Sequence, residues 1–385
     1  YLHRIDPEST SGFIDAFWHA HIWDWSTLLF NRHGEYESWD RTTRFGKSFD
    51  GTDSLPLLEN TALSFINTGS DLIYSATEAY RLAGDRAPFD WGLRLLSCYE
   101  AIRHPNTGLA GYQFNHRDPC RVRQSFLGQM GERADVNETS VITNNVIGSR
   151  YGRVAVCLLN QAMLLGDEGA PFVDLVCRDL DALARHSWQS NTGTFQPALN
   201  DGTLLTPEHT EDVGYCQPVK LRPVKANGLL LLSYARAFRV TGNQAFGQMA
   251  HDVARAMGWG DLDTGPVNFQ TLGSISTQTE ETRAHGGQND ACALEALLDL
   301  HAASGDERLL TSAVSLGRRL VSSHIVDGLF TSSGSNSDDV TGIDSAVPVA
   351  LLRLAAELSG ADETTPILYP NITQFDPKVV VARRK

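Results

Sequence analysis

The sequence predicts an all-α chain built as an (α/α) barrel, a toroid of inner and outer helices with loops and short strands inserted at one mouth. Three observations lead there. Apolar residues recur at helical spacing, as in Leu229, Leu232, Ala235, Ala237 and Phe238. A pair of glycine turns recurs along the chain, and strand-like alternation is scarce. With 385 residues, 42% of them hydrophobic and 20% charged, there is bulk enough for one large core and no composition signal for disorder or coiled coil.

Helical patterns run into Gly84, Gly166, Gly242 and Gly305, each followed by a second amphipathic stretch that ends at Gly108, Gly193, Gly265 and Gly328. The separations within these pairs are 24, 27, 23 and 23 residues. Glycine supplies the left-handed residue that stops a helix, and the neighbouring Asp85, Asp167, Asn243 or Asp306 can begin the next. Each unit is therefore an αα-hairpin. The end hairpins lack the polar outer faces that cap an open solenoid, so closure into a toroid is preferred. Segments 104–140, 190–224 and 260–288 all follow the second helix of a hairpin and would line one mouth. No Pro- or Ser-rich linker divides residues 1–385, which read as a single domain.

A net charge of −14 opposes nucleic acid and anionic lipid, and no apolar run is long enough to span a bilayer. Neither partner is expected, and a soluble monomer is. An anionic substrate would need a local basic cluster or a bound cation. The cysteines Cys98, Cys120, Cys157, Cys177, Cys216 and Cys292 show no CxxC and read as free thiols. The first residue is Tyr1 rather than Met, which suggests processing; secretion or periplasmic export is expected, with the free thiols keeping a cytoplasmic location open.

Chemistry-bearing residues concentrate in the first third: Phe17 to Trp25 with His19 and His21, then Phe30-Asn31-Arg32-His33-Gly34, then Glu59, then Arg103-His104-Pro105. Two histidines and a carboxylate at one mouth suit a divalent transition metal such as Mn, Co, Ni or Zn better than calcium. A helix-end cap or a packed ring is the plain alternative for each histidine. His19 and His21 are two apart, on different helix faces, and should not share a metal. Arg103 at a helix end is also explained by the exposed carbonyls there, and Arg185-His186 occupies the corresponding place one hairpin later. The insertions gather Arg117, Arg121, Arg123, Arg133, Lys220, Arg222 and Lys225 beside Tyr112, Phe114 and Tyr215. Guanidinium groups grip carboxylates and aromatic rings stack on sugars, so Arg32, Tyr112, Arg117, Arg121, Arg133, Arg222 and Lys225 are candidate contacts for an acidic saccharide. Asp24, Glu100, Glu138, Asp212 and Asp290 could instead supply the carboxylate pair of a glycoside hydrolase. GxSxG, HExxH and phosphate-binding glycine loops are absent.

The run Phe30 to Gly34, Glu59, Arg103 to Leu109 with Tyr112-Gln113-Phe114, Ala254 to Leu262, Asp290 to Leu298 and Pro348 to Leu352 together resemble the pectate lyases of polysaccharide lyase family two. The resemblance implies an (α/α)7 barrel that cleaves homogalacturonan or its oligomers by β-elimination. It also implies a transition metal held by His33, Glu59 and His104, with Arg103 as Brønsted base. Removing the proton α to a uronate carboxylate builds up negative charge, which a divalent cation on that carboxylate offsets. An arginine base implies activity that rises above neutral pH. If Arg103 is not the base, Arg185, Arg150, Arg153 or Arg133 becomes the candidate. Endo or exo action is left open.

Overall fold

The computed structural model describes residues 2–25, 28–30, 45–47, 64–114, 139–209, 217–262, 267, 280–326, 329–330, 346–360 and 368. After a single turn, α1 (Leu2–Ile5), helix α2 (Pro7–His21) starts on an Asp6 cap and ends at a short hairpin of β1 (Ile22–Asp24) and β2 (Leu29–Phe30). Four hairpins follow: α3 (Ile66–Ala83) with α4 (Arg86–Ala101), α5 (Ala155–Leu165) with α6 (Ala170–His186), α7 (Gly228–Thr241) with α8 (Gln244–Ala256), and α9 (Glu280–Ser304) with α10 (Glu307–His324). Among the described residues, the last helix is α11 (Ala346–Ser359).

The glycine turns form as the repeat predicts. Gly84, Gly166, Gly242 and Gly305 all have positive φ, and the side chains of Asp85, Asn243 and Asp306 accept the N–H of Ala87, Ala245 and Arg308 to start the following helix. The second hairpin differs. There Asp167 and Glu168 sit in a 3-10 turn, Gly166–Gly169, and α6 opens instead on Pro171, whose missing N–H costs nothing in the first turn.

Packing sorts the helices into two layers. The elements α3, α5, α7, α9 and α11 contact one another in that order, and α4, α6, α8 and α10 each lie against the helix that precedes them in sequence. This is the arrangement of inner and outer helices that the hairpin repeat calls for. The interface between layers is apolar and tight: an added Cβ at Gly69 would fall 2.0 Å from the Tyr99 hydroxyl, and one at Gly92 would touch Ala76. The predicted core residues Leu232, Ala235, Ala237, Leu294, Leu297 and Leu298 are all fully buried. Cys98, Cys157 and Cys292 are buried free thiols and Cys177 is a half-buried one; Cys120 and Cys216 lie outside the described residues.

The connections from outer back to inner helices carry the short strands. β3 (Val141–Ile142) pairs with β6 (Ala198–Leu199), while β5 (Thr194–Phe195) pairs with β4 (Trp188–Gln189) on one side and β7 (Val224–Lys225) on the other. The first two insertions are thereby knitted together, helped by Asn200 N–H donating to Ser140 O at 2.8 Å. After α10 comes a hairpin of β8 (Ile325–Val326) and β9 (Leu329–Phe330). The third insertion, predicted over 260–288, is shorter than expected because α9 already begins at Glu280.

Candidate active site

The inner helices carry their polar residues on the side turned away from the outer layer. On α3, Gly69, Ile73 and Ala76 meet α4, and Asn67, Asp71, Tyr74 and Glu78 form a separate stripe at i, i+4, i+7 and i+11. On the next inner element, Ala162 abuts Gly169 beside α6, and Arg153, Cys157 and Asn160 face the other way. α7 contributes Arg236, α9 Glu295 and Asp299, and α11 Arg353. That these side chains share one region is clear from the Cys157 thiol, pushed up to about 12 by burial and influenced at once by Arg153, Asp71 and Arg236.

The half nearer the glycine turns is a closed ionic cluster. Arg236 donates to Asp299 at 2.7 Å, to Glu295 at 2.8 Å and to the Asn160 amide oxygen; Arg239 and Arg353 reach Asp299 at 2.8 and 2.6 Å, and Arg353 also grips Glu295. Asn160 in turn donates to Leu368 O at 2.8 Å. Each of these side chains is engaged within the protein, although Glu295 Oε1 is buried without a hydrogen bond, and this half reads as a clamp between inner helices.

The half nearer the mouth is more open. Arg153 sits on an eight-residue π-helical segment, Ile147–Val154, that leads into α5. Wide π-helical turns are uncommon and concentrate at functional positions. Its Nη1 donates to Asp71 Oδ1 at 3.1 Å and its Nη2 to Asn67 O at 2.9 Å. The Arg153 side chain is 9% exposed and that of Asp71 53%. Burial raises the Asp71 carboxyl above its usual range, opposed chiefly by Arg153 and less by His21. His21 donates from Nδ1 to Phe17 O at 2.9 Å, which leaves Nε2 as the acceptor of the neutral ring. His19 also binds a carbonyl four residues back, Asp15 O, but its ring is buried against Trp25, so the two histidines face apart as expected.

Arg103 and His104 follow the end of α4. Arg103 does not cap its own helix. It reaches across to α6, donating to Asp179 Oδ1 from Nη2 at 2.6 Å and from Nε at 3.1 Å, and to Leu175 O at 2.6 Å. Arg150, fully buried, donates to the same carboxylate at 2.8 and 3.1 Å and to the carbonyls of Gly111 and Tyr99. Asp179 is thus held between two guanidinium groups. Arg103 Nη1 is buried with no hydrogen-bond acceptor and lies 3.6 Å from Glu100. His104 is buried, and its Nδ1 accepts the Asn106 N–H at 3.3 Å, so the neutral ring carries its proton on Nε2. A metal at Nε2 would require that proton to move to Nδ1 and the Asn106 contact to break.

The other candidates divide plainly. His33, Glu59, Arg32, Arg117, Arg121 and Arg133 lie outside the described residues, and among the described residues no group of three His, Cys, Asp or Glu forms a metal cluster. Tyr112 packs against Phe65 with ring centres 5.3 Å apart, and its carbonyl accepts the Ile66 N–H that opens α3. Arg222 and Lys225 are exposed on the second insertion. Arg185 is a surface residue paired with Asp181 at 2.8 Å. Of the carboxylate candidates, Glu100 flanks Arg103, and burial raises Asp290 against the opposing charges of Arg319 and His324. Asp71 was not singled out by sequence; its place four residues after Asn67, just ahead of the apolar Leu72 and Ile73, was the available signal.

Comparison with known proteins supplies the family. The model of the periplasmic pectate lyase family matches residues 1–376. A pectate disaccharide-lyase of Dickeya dadantii is 29% identical in an alignment 269 positions long that covers 62% of this chain and 47% of that protein. The chain therefore spans about half the length of that relative. Among solved structures, cellobiose 2-epimerase from Bacillus thermoamylovorans aligns over 86% of this chain and 81% of its own at 14% identity with a TM-score of 0.42. A sugar epimerase from a ruminal bacterium aligns over 91% and 82% at 11% identity with a TM-score of 0.45. The family description also agrees with a secreted or periplasmic location. With nearly its whole length matched, this chain belongs to the periplasmic pectate lyase family.

Proposed function

We propose that this protein cleaves de-esterified homogalacturonan or oligogalacturonides by metal-assisted β-elimination. The observation that carries the reading is the family match over residues 1–376, supported by the kinship to a pectate disaccharide-lyase. The setting is consistent in charge: on a chain of net charge −14, Arg153, with His21 in electrostatic reach of its partner Asp71, puts a cation at the mouth half of the inner helices, where an anionic sugar would need one. A closed (α/α)7 barrel is the architecture that this reading implies.

A divalent transition metal, held by His33, Glu59 and His104, would neutralise the uronate carboxylate and so acidify the neighbouring proton. For His104 this requires the tautomer opposite to the one its Asn106 contact fixes. Arg103 can act as the base only after releasing Asp179 and the Leu175 carbonyl, because in its present position it serves purely as a donor to both. Substrate grip falls to exposed cations such as Arg222 and Lys225, and stacking to Tyr112.

The test is incubation with polygalacturonate, following the ultraviolet chromophore of the unsaturated product with and without a chelator. Chromophore formation that stops on chelation and returns with Mn, Co, Ni or Zn is the expected result. New reducing ends without the chromophore would transfer the assignment to a glycoside hydrolase. Arg103→Ala should abolish turnover while leaving ligand binding intact; unchanged turnover would remove Arg103 as the base.

A further inference from the structure

We propose that Arg153 is the carboxylate receptor of the cleft, and that Asp71 is an internal anion that the incoming uronate carboxylate displaces. The inference rests on the reading of the substrate as a polyuronate. Its basis is the way the pair is held. Arg153 is gripped from one side by a fixed element: Nη2 donates to Asn67 O, a carbonyl in the first turn of α3 that also accepts the Ser70 hydroxyl at 2.7 Å. From the other side, among the described residues, it meets Asp71, through one bond at 3.1 Å. A guanidinium binds a carboxylate best through two parallel bonds, and this contact uses one.

The burial pattern fits a cover. Arg153 lies beneath and Asp71 lies above it, with 53% of the carboxylate side chain open to solvent. A buried arginine that waits for an anion must be neutralised in the free protein, since an unpaired buried cation is strongly destabilising. Asp71 supplies that charge, and burial raises its carboxyl even with Arg153 beside it. Exchange conserves charge, because one carboxylate leaves as another arrives. The departing Asp71 stays within the influence of His21, and Arg153 stays fixed by Asn67 and by the packed π-helical segment. A neutral or methyl-esterified sugar has no group to make the exchange, so the pair would select against it.

The experiment is calorimetric titration of the protein with oligogalacturonate and with its fully methyl-esterified counterpart, alongside steady-state cleavage of polygalacturonate. Arg153→Gln should weaken oligogalacturonate binding by about tenfold or more and raise KM rather than lower kcat, with Arg153→Lys recovering part of the loss. Asp71→Asn, which removes the internal competitor, should tighten binding severalfold. A structural ion pair predicts the reverse for Asp71→Asn, weaker or unchanged binding, and that result would overturn the proposal. Should Arg153→Gln fail to fold, as judged by its melting transition, Asp71→Asn alone decides. A wild-type protein that neither binds nor cleaves oligogalacturonate overturns the substrate reading and the proposal with it; one that binds and cleaves it, with binding indifferent to both substitutions, overturns the proposal alone.

Discussion

Asp179 shows how much one residue can be asked to do. It is fully buried on α6, and it neutralises Arg150 from the inner layer and Arg103 from the end of α4. Removing the shared anion leaves two guanidinium groups buried without a counter-charge, whereas removing Arg103 leaves Asp179 still paired with Arg150. Asp179→Ala should therefore lower stability by about 3–5 kcal/mol, and Arg103→Ala by about 1–3 kcal/mol. Urea midpoints of the two variants test the order; equal midpoints would mean that Asp179 is not the hub. The same geometry explains why the role of Arg103 was unreadable from sequence. Its neighbours in the chain, Ile102 and His104, say nothing about a carboxylate 76 positions away on another helix.

At the level of elements, the hairpin repeat was legible because its signals are local. A positive-φ glycine and an adjacent Asp or Asn cap act within four residues, and these turns appear at Gly84, Gly242 and Gly305 where the spacing placed them. The turn after α5 shows where local reasoning runs short, since Gly169 owes its identity to a neighbour rather than to its own backbone. An added Cβ there would lie 2.5 Å from the Ala162 backbone. Gly169→Ala should cost about 1–3 kcal/mol through this clash, and Asp306→Ala about 1 kcal/mol through loss of the α10 cap. Thermal melting of both variants should show the larger fall in Tm for Gly169→Ala. Short strands were expected at the mouth but could not be placed residue by residue, because two-residue pairings such as β3 with β6 carry no periodicity to detect.

On the scale of the whole molecule, the clamp of Arg236, Arg239, Arg353, Glu295 and Asp299 joins α7, α9 and α11. Burial by itself would raise the Asp299 carboxyl, but Arg236, Arg353 and Arg239 together hold it far below the usual carboxylate range. A group depressed in this way binds its proton more tightly in the unfolded chain, so its stabilisation is complete above the unfolded value of about 3.9 and is lost as pH falls below it. Urea unfolding at neutral pH and at about pH 3 should show a loss that Asp299→Asn, already destabilised, shows to a smaller degree. An equal acid response in the variant would place the acid sensitivity elsewhere.

What the amino-acid sequence determined by itself was the unit: helix periodicity, the glycine stops, the Asp and Asn starts, and the side on which the long connections fall. All of these act over a few residues and need no partner from a distant part of the chain. Which polar residues face one another was decided only by the tertiary structure. Asp71 meets Arg153 over 82 positions, Arg236 meets Asp299 over 63, and Arg103 meets Asp179 over 76. Burial converts such meetings into strong interactions, because charges removed from water must find each other, and no spacing in the sequence records where the folded chain brings them together.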